Sequence, residues 1–229
     1  MLDDPEPACP PPDWACRIVQ AGTARVGLEV YPPSDDTFLL LEALASDVAL
    51  IRARQPLTCL EIGSGSGVVS AALRKIFDGA AYGGSPMPLM WAVDKNPAAI
   101  RCTAGLLREQ QVPRADVLRG SLTGFLRPNV LDMIICNPPY VPTDEEEMQG
   151  CGISVAWAGG RRGREVIDVL LPEVARVLAP GGLFYLVCIA ENEPEEIIAL
   201  GGALGLRGEK AKQEQRGMEE LFILRFLKD

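Results

Sequence analysis

The chain has 229 residues, 48% of them hydrophobic and 23% charged. That composition excludes wholesale disorder and allows one substantial core, since a chain of this size buries roughly 70% of its unfolded surface. Lys and Arg total 22 against 31 Asp and Glu, a net charge of −9, so bulk electrostatics does not draw the chain to nucleic acid or other polyanions.

Histidine is absent, which removes His-based triads, His proton shuttles and His-ligated zinc. The seven cysteines (Cys9, Cys16, Cys59, Cys102, Cys136, Cys151 and Cys188) are odd in number and scattered, with no Cys-x-x-Cys pair. They suit a reducing intracellular compartment, the cytoplasm with the nucleus left open, better than a secreted scaffold. The acidic, proline-rich N-terminus is the reverse of a signal or transit peptide. The longest uncharged stretch, Val177 to Ala190, is too short to span a bilayer.

In chain order, residues 1–12 read as a mobile acidic and proline-rich arm, and 13–229 as one domain. Trp14 to Tyr31 has no clean period and reads as a cover packed over the rest of the domain. Ser34 is a candidate N-cap, with Asp35 and Asp36 favouring the positive end of a helix on which Phe38, Leu41, Leu44, Ala45 and Val48 recur. Leu57 to Ile62 is an apolar strand entering Gly63-Ser64-Gly65-Ser66-Gly67, and Val68 to Phe77 is a helix. Gly79 to Pro88 is a surface loop, and Leu89 to Val93 a strand ending at Asp94. Asn96-Pro97 opens a helix towards Gln110. Ala115 to Leu118 is a weaker strand. Val130 to Cys136 is a stronger one, running into Asn137-Pro138-Pro139-Tyr140 and a long acidic loop. Gly163 to Leu178 is helical with an interruption expected at Pro172, and Pro180-Gly181-Gly182 ends it before the strand Leu183 to Ile189. Asn192 caps a helix over Glu193 to Leu204, and Glu219 to Leu227 is the final strand. Apolar strands alternating with helices are the α/β pattern, and their lack of polar alternation marks strands buried on both faces.

Two places carry chemistry. In the 63–67 run, Gly63 permits a tight turn, Gly65 close approach of a ligand, and Gly67 close packing of the helix on the strand. Glu61, immediately before the loop, is unwelcome to a pyrophosphate but suits a cationic ligand end, such as the amino group or sulfonium of S-adenosylmethionine. Asp94 can accept from ribose hydroxyls, a role that also fits a nicotinamide cofactor. The second place is Asn137-Pro138-Pro139-Tyr140, at the C-terminal end of a buried strand, where open α/β sheets place ligands. Two prolines stiffen the backbone and remove two donors. The Asn137 amide oxygen and the Pro138 carbonyl can grip the two hydrogens of a substrate –NH2, and Tyr140 can pack flat on the planar group that carries it.

With these motifs the chain resembles class I S-adenosylmethionine-dependent methyltransferases, and more closely the HemK-like protein glutamine methyltransferases that act on peptide-chain release factors. The run Tyr31-Pro32-Pro33-Ser34-Asp35-Asp36-Thr37-Phe38-Leu39-Leu40 and the run Ala156-Trp157-Ala158-Gly159-Gly160-Arg161-Arg162-Gly163-Arg164-Glu165 resemble their eukaryotic and archaeal branch. The resemblance extends from about Gly27 to Leu227. It implies a Rossmann-like seven-stranded sheet in the order 3-2-1-4-5-7-6 with strand 7 antiparallel, and an N-terminal extension beside the cofactor. The family's S-adenosylmethionine contacts fall on Thr37, Glu61, Gly63, Asp94 and Asn137, with Tyr31 and Gly65 counted among them. Ser121-Leu122 stands where the family commonly has Asp-Leu, so a carboxylate is lost there.

The resemblance also implies the activity. Its substrate is the Gly-Gly-Gln loop of a class I translation termination factor, methylated on the glutamine side-chain nitrogen by Asn137, Pro138 and Tyr140. A small zinc-binding activator of the Trm112 type is the implied heterodimer partner, holding the zinc itself, with no metal site in this chain and no membrane or direct nucleic-acid partner. The edge strand near 115–118 is where another chain can add. Three other readings stand beside this one: adenine amino-methylation of DNA or RNA, additional lysine methylation aided by the acidic loop at Asp144-Glu145-Glu146-Glu147, and a non-enzymatic scaffold.

Overall fold

The apolar runs of the sequence form the middle of a seven-stranded sheet. A computed structural model describes residues 13–27, 29–77, 87–124, 126–144 and 156–229. The arm at 1–12 and most of the acidic loop lie outside the described residues. The strands are β1 (Thr58–Ile62), β2 (Leu89–Asp94), β3 (Ala115–Arg119), β4 (Leu131–Cys136), β5 (Leu178–Ile189), β6 (Leu206–Arg216) and β7 (Glu219–Lys228). They are ordered 3-2-1-4-5-7-6, with β7 antiparallel to both neighbours, as the resemblance implies.

Register places the site. Ile62 of β1 pairs with Val93 of β2 on one side and Cys136 of β4 on the other. The C-terminal ends of these three strands are therefore level, and the loops after them emerge side by side.

The helices are α1 (Asp13–Thr23), α2 (Asp35–Ser46), α3 (Val48–Arg54), α4 (Val68–Phe77), α5 (Pro97–Glu109), α6 (Glu165–Val177) and α7 (Pro194–Ala203). α4 packs against α1, α2, α3 and α5, while α6 packs against α7. A bulge between Lys210 and Lys212 sends these two side chains to opposite faces of the sheet. Lys210 pairs with Glu195 of α7 and Lys212 with Glu42 of α2, so the two helical groups cover opposite faces. Phe184 and Phe226 stack at 5.6 Å on the face that α7 covers, where a Cβ on Gly201 would meet the Phe226 ring.

Several local expectations change. Trp14 to Tyr31 contains a helix, α1, with Ala15, Ile18 and Val19 buried. The helix begun at Ser34 breaks at Asp47 into α2 and α3. α6 continues through Pro172 without interruption. β5 starts at Leu178, five residues early, because Pro180-Gly181-Gly182 is absorbed in an irregular pairing between Leu131↔Leu178 and Met133↔Leu183. Asn192 does not cap α7, since Glu193 holds that position. β6 appears where no strand is expected from residue pattern. It is charged along its length and forms a sheet edge.

Candidate active site

The loop after β1 is held by backbone bonds to its neighbour strand. The N–H groups of Gly63 and Ser64 both donate to the Val93 carbonyl, at 2.8 and 3.1 Å. Gly63 has φ +75° and Gly65 φ +49°, and a Cβ on Gly65 would meet nothing within 4 Å, so open space lies beside that backbone. Gly67 serves close packing, but against Thr103 of α5 rather than the strand. A Cβ there would lie 2.7 Å from Thr103 Cα.

Glu61 is buried beneath this loop. One carboxyl oxygen accepts from the Ser70 N–H at 2.9 Å and from the Ser70 hydroxyl, which ties β1 to the first turn of α4. Burial pushes Glu61 up to about 8, and the nearby Asp94 adds to the rise while the Ser70 bonds oppose it. Asp94, at the end of β2, accepts from Gly65 N–H at 2.9 Å and from Asn96 N–H at 2.8 Å, one on each oxygen. It thereby fixes both the glycine loop and the start of α5. Gly120 N–H donates to the Asp94 carbonyl at 3.0 Å, which brings Ser121 and Leu122, the latter at φ +52°, to the same end of the sheet. Ser121 is exposed.

The turn after β4 lies next to the glycine loop, with the Asn137 carbonyl 3.7 Å from the Cβ position of Gly63. Pro138 and Tyr140 are buried. Asn137 Nδ2 and the Tyr140 hydroxyl donate to the same oxygen of Asp36, at 2.9 and 3.0 Å. Asn137 Oδ1 is buried and accepts no hydrogen bond from the described residues. Burial first, and Asp36 second, hold the Tyr140 phenol far above its ordinary value, so it stays protonated. Tyr31 is raised for the same two reasons, and Thr37 is buried at the first turn of α2. Burial also pushes the Cys136 thiol up, with Glu61 and Asp94 adding to it, so this cysteine is no nucleophile.

A second layer supports the turn. Asn192 donates to the Tyr140 carbonyl at 2.7 Å and the Arg162 carbonyl at 2.9 Å, and accepts from Ile189 N–H. Val141 bridges Ala158, and a Cβ on Gly163 would overlap the Tyr140 carbonyl. The 156–165 run is thus the buttress of the Asn-Pro-Pro-Tyr turn. Arg164, almost fully buried, is paired with Asp168 and Glu196. The expected site residues Tyr31, Thr37, Glu61, Gly63, Gly65, Asp94, Ser121, Leu122, Asn137, Pro138 and Tyr140 all stand at one end of the sheet. Asp36, Asn192 and Gly163 escape sequence reasoning as site residues. The first reads only as a helix-start carboxylate, and the others as an ordinary cap and a helix start.

This strand order, with a glycine loop after β1 and a rigid amide-bearing turn after β4, defines a class I methyltransferase. A family model for the Methyltransferase small domain matches residues 35–151. Methyltransferase HEMK2 of Homo sapiens is 43% identical over 203 residues, covering 87% of this chain and 90% of that protein. The eRF1 methyltransferase catalytic subunit mtq2 of Schizosaccharomyces pombe is 32% identical over 86% of this chain and 88% of its own length. Among solved structures, the E. cuniculi Mtq2–Trm112 complex responsible for methylation of the eRF1 translation termination factor is similar with a TM-score of 0.66 at 25% identity. It covers 88% of this chain and 99% of that one. The chain belongs to the methyltransferase small domain family, in its HEMK2- and Mtq2-like group.

The site's own chemistry fits S-adenosylmethionine. A buried carboxyl raised to about 8 is relieved by a cation, the glycine loop leaves open space, and each Asp94 oxygen keeps acceptor capacity beyond its one backbone bond.

Proposed function

We propose that this chain methylates the side-chain amide nitrogen of a glutamine in the Gly-Gly-Gln motif of a class I translation termination factor, working as a heterodimer with a Trm112-type activator. The observation that carries the reading is the buried Oδ1 of Asn137 at the end of β4, which has no partner among the described residues. The mtq2 relative is an eRF1 methyltransferase, and the similar Mtq2 structure is a complex with Trm112. Edge strand β3, with Leu118 exposed, is available for a partner chain.

Bound at Glu61, Gly63, Gly65 and Asp94, with Tyr31, Thr37, Ser121 and Leu122 around it, S-adenosylmethionine supplies an electrophilic methyl group. The chain's task is to make an amide nitrogen receive it. That nitrogen is a poor nucleophile because its lone pair is delocalised into the carbonyl. Asn137 Oδ1 and the Pro138 carbonyl accept from its two N–H bonds and hold its open face outward. These bonds strengthen as positive charge grows on nitrogen, so they favour the transition state over the ground state. Pro138 and Pro139 present no N–H that would compete for the carbonyls. The Tyr140 ring lies against the flat amide group. Once the nitrogen carries the new substituent, its surplus proton is acidic enough to leave to water, so no strong base is needed.

The test is incubation of the purified heterodimer and isotope-labelled S-adenosylmethionine with termination factor, its Gln→Ala variant at the Gly-Gly-Gln motif, and DNA in parallel. Label confined to the unsubstituted factor and mapped to that glutamine by mass spectrometry is the expected result. Label on DNA, or on the Gln→Ala factor to the same extent, overturns the proposal.

A further inference from the structure

We infer that Asp36 is a positioning residue for this reaction: its carboxylate decides which way round the Asn137 amide stands and so turns the buried end of that side chain into an acceptor. The inference rests on the proposed role of Asn137 and deepens it.

An asparagine amide is nearly symmetric in shape, and either its oxygen or its nitrogen can face a given direction. The substrate –NH2 needs the oxygen. Nothing in the Asn-Pro-Pro-Tyr turn itself selects that orientation. Asp36 does, because a carboxylate can only accept. Its Oδ2 stands 2.9 Å from Asn137 Nδ2. Turning the amide over would set two oxygens against each other at that distance and leave the NH2 group to face the substrate's own N–H bonds. With Nδ2 committed, Oδ1 is left buried and without a donor among the described residues.

The same Asp36 oxygen accepts from the Tyr140 hydroxyl at 3.0 Å. One atom therefore holds both ends of the four-residue turn, the amide that grips the substrate and the ring that flanks it. Asp36 itself cannot swing away. Its other oxygen accepts from Thr37 N–H at 2.6 Å and Thr37 Oγ1 at 3.2 Å, inside the first turn of α2, where a negative charge is favoured. Only 3% of the residue is exposed, and Asn137, Tyr140 and Thr37 provide its hydrogen-bond donors. Negative charge on one side of the Asn137 amide also polarises it and makes Oδ1 a stronger acceptor on the other. The hydrogen bonds of Asp36 run to Thr37, Asn137 and Tyr140. It acts through Asn137.

A double-mutant cycle on the assembled heterodimer separates this from mere tethering of α2. Asp36→Ala is expected to lower the single-turnover methylation rate by about 10–100-fold while cofactor affinity changes by less than about 3-fold. In an Asn137→Ala background, adding Asp36→Ala is expected to cost clearly less than it does in the wild type, because the amide it orients is gone and only its bond to Tyr140 remains to be lost. A wild-type rate for Asp36→Ala, or the same loss in both backgrounds, overturns the role of Asp36 and leaves that of Asn137 standing. A wild-type rate for Asn137→Ala alone overturns the proposed site chemistry, and the role of Asp36 with it. Should Asp36→Ala fail to fold, the Asn137 side-chain NH2 signals of the wild-type enzyme decide. One proton shifted downfield and slow to exchange is expected, and free exchange with water refutes the contact.

Discussion

Gly163 stands against the carbonyl of Tyr140 with no room between them for a methyl group. The glycine sits at φ +66°, a conformation that side chains disfavour. Gly163→Ala is therefore expected to push the Asn-Pro-Pro-Tyr turn outward. The overpacking costs about 1–3 kcal/mol of stability. Melting temperature and methylation rate should both fall, with rate falling further than the loss of folded protein explains. An unchanged melt and rate would show that the buttress yields without moving the turn.

Asn137→Ala removes the acceptor that the amide nitrogen needs. The expected loss is about 10²–10³ in rate, or about 3–4 kcal/mol of transition-state stabilisation. Cofactor affinity by calorimetry should fall far less than turnover. Single-turnover methylation at the normal rate would remove this side chain from the mechanism.

Asp94→Ala is expected to weaken S-adenosylmethionine binding by about 10-fold or more, equivalent to about 1.4 kcal/mol, and to leave turnover at saturating cofactor near normal. The loop is loosened as well, since Gly65 N–H and Asn96 N–H lose their acceptors. Amide exchange at Gly65 should accelerate. Unchanged affinity by calorimetry contradicts a cofactor role.

Glu61 makes binding depend on pH. Its carboxyl is raised by burial from an ordinary 4.5 to about 8. Its contribution to folding is therefore fully present below 4.5 and is lost as pH rises through 8. A cation bound nearby reverses the preference and favours the ionised form. Cofactor binding should thus release a proton, and affinity should climb as pH rises towards 8 and then level. Calorimetry in two buffers of different ionisation enthalpy measures the proton. Glu61→Gln should abolish the dependence, and a flat profile in the wild type would place the cation elsewhere.

Much of the centre of this fold is readable from residue pattern. β1, β2, β4 and the core of β5 are unbroken apolar runs because both faces are buried, and the site loops come directly after β1 and β4. α1 is less legible because its buried stripe is short. β6 hides for a different reason. An edge strand that bonds through its backbone needs few apolar side chains, and its lysines serve ion pairs to α7 and α2 while its glutamates pair with arginines of the β6–β7 hairpin. Asp36 is visible only as a helix-start carboxylate. Its partner Asn137 lies 101 residues away, and no local pattern records a contact that the sheet itself brings about.

The last strand of the chain does not sit at the margin. β7 lies between β5 and β6, with Leu221 to Leu227 filling the flank of Leu183 to Ile189. Because β6 pairs with β7 and not with β5, it has no sheet to join until β7 is in place, so the closing hairpin docks as a unit along the flank of β5.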